Sequence, residues 1–225
     1  MFMVSFDKKW EEIHSTNAWG SYPSENVIRF IARNYYKKER NNIKILDYGC
    51  GAGANTWYLS KEGFGVWAFD GSRSAVEKTI NKLKEFQLEG NNVHIEVMDG
   101  ASLNYSDLFF DCVIDNVTIC ANTSVNIAAM YQETYRVLKA GGKLFSTSFS
   151  INTTGYGLGE EVEHSTFKNI SKGPFSGGWI HHFYTKLELE KILVEVGYKN
   201  IKIETMTLED NDNFLEMYIA KAEKL

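Results

Sequence analysis

Ile45-Leu46-Asp47-Tyr48-Gly49-Cys50-Gly51-Ala52-Gly53 decides how this chain is read: an apolar run ending in an acid, then three glycines at alternate positions. Lys44–Tyr48 has the length and residue types of a buried strand, and the glycine turn leads into a helical stretch through Lys61. In such a strand, turn and helix the backbone can approach a ligand closely, because glycine carries no Cβ to collide with it. The spacing is G-x-G-x-G, not the G-x-G-x-x-G of dinucleotide loops.

Outward from this unit, strands and helices alternate. Upstream, Ser24 caps a helix to about Tyr36 with Val27, Phe30 and Ile31 on its apolar face. Downstream, Gly65–Asp70 reads as a second strand, and Ser74 with Glu77 forms a capping box for a helix turning Val76, Ile80 and Leu83 inward. Residues 93–98 and 110–115 are the third and fourth strands, 124–138 a helix closed by Ala140-Gly141-Gly142, and 143–149 the fifth strand. Residues 150–180 break the rhythm. It resumes with a capping box of Thr185 and Glu188, apolar residues at Leu189, Ile192, Leu193 and Val196, and a stop at Gly197. Two strands, 199–206 and 214–220, follow with only a short polar turn at 209–213. No crossover helix fits there, so they pair antiparallel. The prediction is an α/β fold: a mostly parallel sheet, helices on both faces and one reversed strand.

Composition narrows the function classes. The chain has 225 residues, 44% hydrophobic and 24% charged, which fits one domain with an insertion. The net charge of −5 argues against a nucleic-acid partner, which calls for a basic face. Cys50, Cys112 and Cys120 are an odd set without metal-ligand spacing and read as free thiols. The start, MFMVSFDKKW, resembles neither a signal peptide nor an anchor, and no apolar run approaches the roughly 18 residues of a membrane span. The expected compartment is the cytoplasm, with no membrane partner; nothing indicates an oligomeric state.

The ligand class is decided by acids. In open α/β sheets ligands bind beyond the carboxyl ends of the strands, and there this chain places Asp47, Asp70, Asp99 and Asp115. A pyrophosphate is repelled by such a set, whereas a sulfonium and an ammonium are attracted. Asp70 follows Asp47 at close to the ~20-residue offset at which an acid meets ribose hydroxyls. Asp99 can accept from an exocyclic amine. The competing reading of each acid is a helix cap or a water-facing loop residue.

With these residues in place, 45–53 resembles motif I of class I S-adenosylmethionine (SAM) dependent methyltransferases. Trp67-Ala68-Phe69-Asp70-Gly71-Ser72 resembles the second motif, Met98-Asp99-Gly100 the third, 110–115 the fourth, and Val137-Leu138-Lys139-Ala140-Gly141-Gly142 the turn before the fifth strand. The resemblance covers about 43–149. It implies a Rossmann-like seven-stranded sheet of order 3-2-1-4-5-7-6 with strand 7 antiparallel. It also implies a single domain over 1–225: N-terminal cap helices (1–40), a SAM-binding core (43–149), a substrate lid (150–184) and a C-terminal helix and hairpin (185–225). By the same resemblance Gly49, Gly51 and Gly53 line the methionine moiety and Asp47 orients its ammonium, with Cys50 a small filler of the cofactor-binding loop. Asp70 with Gly71 and Ser72 then meets the ribose, Asp99 with Gly100 the adenine, and Asp115 with Asn116 flanks the methionyl group.

The expected reaction is SAM-dependent methyl transfer to an oxygen or nitrogen of a small-molecule acceptor; the plan resembles enzymes acting on sugars, capsule precursors and secondary metabolites. Two segments are candidates for the acceptor pocket. The first runs from Trp10 to Glu25 and includes Trp19 and Tyr22, with Tyr22 expected to reach cofactor or substrate. The second is 150–184, with Glu160, Glu161, Glu163, His164, Trp179, His181, His182, Phe183 and Tyr184. If 179–184 is extended, adjacent His181 and His182 point to opposite sides; His182 is preferred as a catalytic base and His181 stands second. His164 and its glutamates match no metal-ligand spacing, so no metal is expected. A SAM-binding module without transfer activity is the main alternative. A nucleic-acid methyltransferase is disfavoured because Asp115-Asn116-Val117-Thr118 lacks the Asn/Asp-Pro-Pro-aromatic motif.

Overall fold

In the computed structural model, which describes residues 5–17, 20–90, 92–175 and 178–225, β1 (Lys44–Tyr48) runs through the middle of a seven-stranded sheet. β2 (Gly65–Asp70) and β4 (Phe110–Asn116) flank it in parallel. The other strands of this sheet are β3 (Val93–Val97), β5 (Leu138–Phe149), β9 (Lys199–Asp210) and β10 (Asn213–Glu223), and the full order is β3-β2-β1-β4-β5-β10-β9. β10 is antiparallel to both β5 and β9. Counting only this sheet's strands, the order is the expected 3-2-1-4-5-7-6 with the seventh reversed.

Successive residues of β1 alternate between the two faces, as a doubly covered sheet requires. Ile45 enters one core cluster with Val27, Phe30 and Ile31 of α2 (Glu25–Tyr35) and with Tyr58 and Leu59 of α3 (Ala54–Lys61). Leu46 enters the opposite cluster with Ile127, Met130 and Tyr131 of α5 (Ser124–Val137) and with Leu189 and Leu193 of α6 (Lys186–Val196). The remaining helices are α1 (Lys9–Thr16) and α4 (Arg73–Glu85). The Thr185–Glu188 capping box forms, and Gly197 ends α6 at φ +115°.

Two local expectations are corrected. The box of Ser74 and Glu77 does not form: α4 starts earlier, capped by Ser72, whose Oγ accepts from the Ala75 N–H. Ser74 is thereby released for a contact with α1. The hairpin turn also narrows to two residues, because Asn211 takes φ +53°, a left-handed conformation that asparagine tolerates. Strand pairing therefore continues through Glu209 and Asp210, polar residues read from sequence as loop.

The aperiodic insertion holds a small antiparallel sheet, β6 (Glu160–Glu163), β7 (Thr166–Lys168) and β8 (His181–His182), in the order β6-β7-β8. Strands this short leave no period to detect. The insertion supplies Phe167, Ile170, Phe175, Trp179 and Phe183 to a third cluster shared with Ile13 of α1 and Phe149 at the end of β5. This cluster fastens insertion and α1 together at the carboxyl end of the sheet, where the site lies.

Candidate active site

A cavity of about 360 Å³ opens at the carboxyl ends of the central strands. Its floor is made by the turns after β1, β2 and β4, and its roof by residues 5–7, α1 and Phe175, Trp179 and His181 of the insertion. Among the residues singled out from sequence, Gly49, Gly51, Asp70, Gly71, Gly100, Asn116 and His181 line it. No lysine or arginine is part of the lining among the described residues.

The turn after β4 shapes the floor. Asp115 is fully buried; one carboxylate oxygen accepts from the N–H groups of Thr118 (2.9 Å) and Ile119 (3.1 Å), the other from the Ser146 hydroxyl (2.6 Å). These bonds hold Val117 at φ +68°, a left-handed backbone that a β-branched residue seldom adopts, with its side chain on the cavity. Thr118 then lies against the turn after β1 so closely that a Cβ on Gly49 would stand 2.3 Å from its side chain. Only glycine fits at position 49.

The four acids are each held differently, and of the four only Asp70 lines the cavity. Asp70 faces the cavity and accepts from the N–H groups of Gly51 and Ser72, both at 2.9 Å. Burial raises its pKa, while the Ser72 N–H, His14 of α1 and the Gly51 N–H act the other way. Asp47 is turned into α3, accepting from the Thr56 hydroxyl (2.6 Å) and the Asn55 amide (3.3 Å), and does not itself line the cavity. Burial pushes Asp47 up to about 6, with a smaller contribution from the Asp70 charge, and pushes Asp115 up to about 6, with Asp47 adding to it. Asp99 accepts from the Ser5 N–H (2.7 Å), the Ser5 hydroxyl (2.5 Å) and the Ala101 N–H (2.9 Å). Cys50, Gly53 and Ser72 lie behind the wall: the Cys50 thiol is raised far above its ordinary range by burial, Gly53 packs on Thr79, and Ser72 caps α4.

The roof is fastened at several points. Glu11 of α1 accepts from the hydroxyls of Ser72 (2.6 Å) and Ser74 (2.5 Å), across the start of α4. Trp10 packs on Trp179 with ring centroids 5.1 Å apart, closing α1 onto the insertion. Both rings line the cavity, as do Phe6, His14, Phe149 and Phe175. Sequence reasoning named Trp10 and Trp179; His14 and Phe175 lie within its two candidate segments but were not singled out, and Phe6 and Phe149 lie outside both, the only signal for Phe149 being its place at the end of the fifth strand.

Two expectations are reversed. His182, preferred for the pocket, points away: its Nδ1 is 2.7 Å from the Thr166 hydroxyl and its Nε2 is 3.1 Å from Glu188 Oε1. Its neighbour His181 takes the cavity side, ringed by Phe149, Phe175 and Phe183 at centroid distances of 5.4, 4.4 and 4.9 Å. The His181 Nε2 is buried without a hydrogen-bond partner, and burial pulls its pKa down to about 3. Tyr22 is 78% exposed and meets Trp57 edge-on at 5.8 Å, on the outer flank of α3 and α4. The Ser21 carbonyl accepts from Lys82 there, which holds the 20–24 segment off the cavity. Trp19 lies outside the described residues.

A protein family described as "Methyltransferase domain" matches residues 39–202, and the chain belongs to it. Demethylmenaquinone methyltransferase of Tropheryma whipplei is 31% identical over 107 residues, covering 48% of this chain and 42% of its own. The mitochondrial ubiquinone biosynthesis O-methyltransferase of Bos taurus is 24% identical over 208 residues, covering 87% of this chain and 54% of its own. The chain thus spans about half the length of these curated relatives. The crystal structure of a SAM-dependent methyltransferase of Methanosarcina mazei superposes with a TM-score of 0.70 at 22% identity, covering 87% of this chain and 97% of the other. That likeness is one of fold.

Proposed function

We propose that this chain transfers the methyl group of SAM to an oxygen or nitrogen of a small acceptor with a planar, largely apolar ring, held beside His181. The observation that carries this reading is the His181 imidazole: a buried nitrogen without a partner, set among aromatic rings in the cavity that Asp70 borders.

The site fits the cofactor by charge and by shape. Asp70, with Asp47 and Asp115 behind the wall, makes a negative rim, and no cationic side chain but histidine lines the cavity among the described residues. Such a rim favours a cationic sulfur nucleoside and opposes a pyrophosphate. Asp70 is placed to hold ribose hydroxyls, and the backbone at Gly49 and Gly51 leaves room for the methionyl chain. Asp47, bound to Thr56 and Asn55, acts on the ammonium through its field or through the helix it anchors.

SAM supplies an electrophilic methyl group on its own leaving group, so this chain needs chiefly to align an acceptor and exclude water. The interlocked Trp10 and Trp179 roof and the Phe149–Phe175 wall exclude water. With its pKa pulled down to about 3, His181 is neutral at pH 7 and offers a lone pair to an acceptor O–H or N–H. Its main work is orientation, because burial disfavours the imidazolium that full proton transfer creates. A ring-bearing acceptor is supported by the names of two relatives, a demethylmenaquinone methyltransferase and a ubiquinone biosynthesis O-methyltransferase, and the second of these supports transfer to oxygen.

The test is to incubate the protein with isotopically labelled SAM and panels of hydroxylated aromatics, sugars and amines, and to follow label into product by mass spectrometry. Labelling of ring-bearing acceptors is the expected result; labelling of sugars alone removes the aromatic assignment. Binding of SAM without turnover on any panel or on cell extract sinks the catalytic reading.

A further inference from the structure

Residue 71 follows the acid at the end of β2 and lines the cavity, yet it is a glycine and contributes no side chain to that wall. The space is filled from elsewhere. The Phe6 ring lies over Gly71 so closely that a Cβ there would stand 2.1 Å from Phe6 Cδ2. The ring is delivered by anchors on either side of it. Ser5 donates from its backbone N–H to one oxygen of Asp99 (2.7 Å) and from its hydroxyl to the other (2.5 Å). Asp7 accepts from the Lys9 N–H (2.9 Å) at the start of α1.

Phe6 therefore borders the same end of the cavity as Asp70, Met98 and Gly100. An aromatic face beside an acid placed for ribose hydroxyls suits a planar base, since stacking works with any π-face. We infer that Phe6, on the N-terminal arm, is the ring against which the nucleobase of the cofactor packs, taking the part that the glycine at 71 leaves open. The assignment rests on reading the cavity as a SAM site. It also gives the roof a dependence on the cofactor. Phe6 and Trp10 belong to one continuous segment, so a base that orders Phe6 orders the start of α1, and with it the Trp10–Trp179 contact over the acceptor end.

The experiment is calorimetric titration of the full chain with S-adenosylhomocysteine and with S-ribosylhomocysteine, which lacks the base. Phe6→Leu keeps an apolar side chain of similar bulk and loses the π-face; it should weaken S-adenosylhomocysteine about tenfold or more while leaving S-ribosylhomocysteine unchanged. Phe6→Trp should bind as wild type. Gly71→Val, whose Cβ meets the ring, should lose affinity in the wild-type background and add no further loss to Phe6→Leu. Equal affinity of Phe6→Leu and wild type for S-adenosylhomocysteine overturns the inference, as does an equal loss for both ligands. Failure of the wild type to bind S-adenosylhomocysteine overturns the cavity reading itself, and the Phe6 assignment with it.

Discussion

His182 Nε2 lies 3.1 Å from Glu188 Oε1, and this contact settles which of two adjacent histidines faces the cavity. Glu188 is also the N3 residue of the α6 capping box, accepting from the Thr185 N–H. One carboxylate thus closes the helix start and captures the histidine of β8, and the alternation of an extended chain sends His181 to the other side. The His182 contact lowers the pKa of Glu188, against the opposing effect of burial.

The two histidines should accordingly fail in different ways. His181→Ala should lower kcat by about 10²-fold if the imidazole orients the acceptor, with SAM affinity unchanged. His182→Ala leaves Thr166 and Glu188 without their partner and should cost about 1–3 kcal/mol of stability, read as a lower Tm. Steady-state kinetics beside thermal melts separates the two; an active His181→Ala protein removes that residue from the mechanism.

Asp70 offers a direct test of cofactor contact. It is the one of the four acids that lines the cavity, and its oxygens already accept two backbone N–H groups. Asp70→Asn keeps the shape and removes the charge. SAM affinity should fall by about 1–3 kcal/mol, the range for hydrogen bonds to a charged acceptor. An unchanged dissociation constant refutes the ribose assignment. Tyr22→Ala, remote from the cavity, should leave that constant where it was.

The frame of the fold was legible because it rests on local signals. The glycine turn after 44–48, the acids at strand ends and the helix-free turn before the last strand each have one cheap structural solution. What escaped was decided by side-chain contacts between elements. The alternation at 181–182 does not say which histidine Glu188, six residues on in the next helix, will bind, and nothing near Gly71 announces a phenylalanine 65 residues upstream. Tyr22 went astray for a similar reason: its aromatic character fitted a lid, but Lys82 and Trp57 offered the segment another seat.

The buried acids predict a pH dependence. Asp47 and Asp115 are both pushed up to about 6, above the ordinary carboxylate value near 4 that applies when the chain is unfolded. The folded state therefore holds these protons more tightly, so its stability falls as pH rises from about 4 to 6, by on the order of 3 kcal/mol for each group. A cationic ligand favours the ionised forms, so SAM affinity should rise through pH 6 and level off above it. Melting curves with and without SAM should show a larger ligand-induced rise in Tm at pH 7.5 than at pH 5. Asp115→Asn, which can still accept from Thr118 and Ile119, should raise the Tm of the ligand-free protein at pH 8. A ligand-induced rise independent of pH refutes the role of these carboxylates.

Val117 reports whether strain is stored at the floor. A β-branched residue at φ +68° is costly, on the order of 1–3 kcal/mol, and it persists because Asp115 grips the two N–H groups that follow. Alanine at 117 gives up the side-chain packing and keeps an unfavourable left-handed backbone; glycine gives up the same packing and is released from the strain. The usual ranking should therefore invert, with Val117→Gly more stable than Val117→Ala by about 1 kcal/mol in denaturant titrations. Both should lose turnover, because the Val117 side chain borders the cavity and the Thr118 beside it fits against Gly49. If alanine proves the more stable of the two, the left-handed turn is relaxed in solution, and the cavity floor is set by something other than the hold of Asp115.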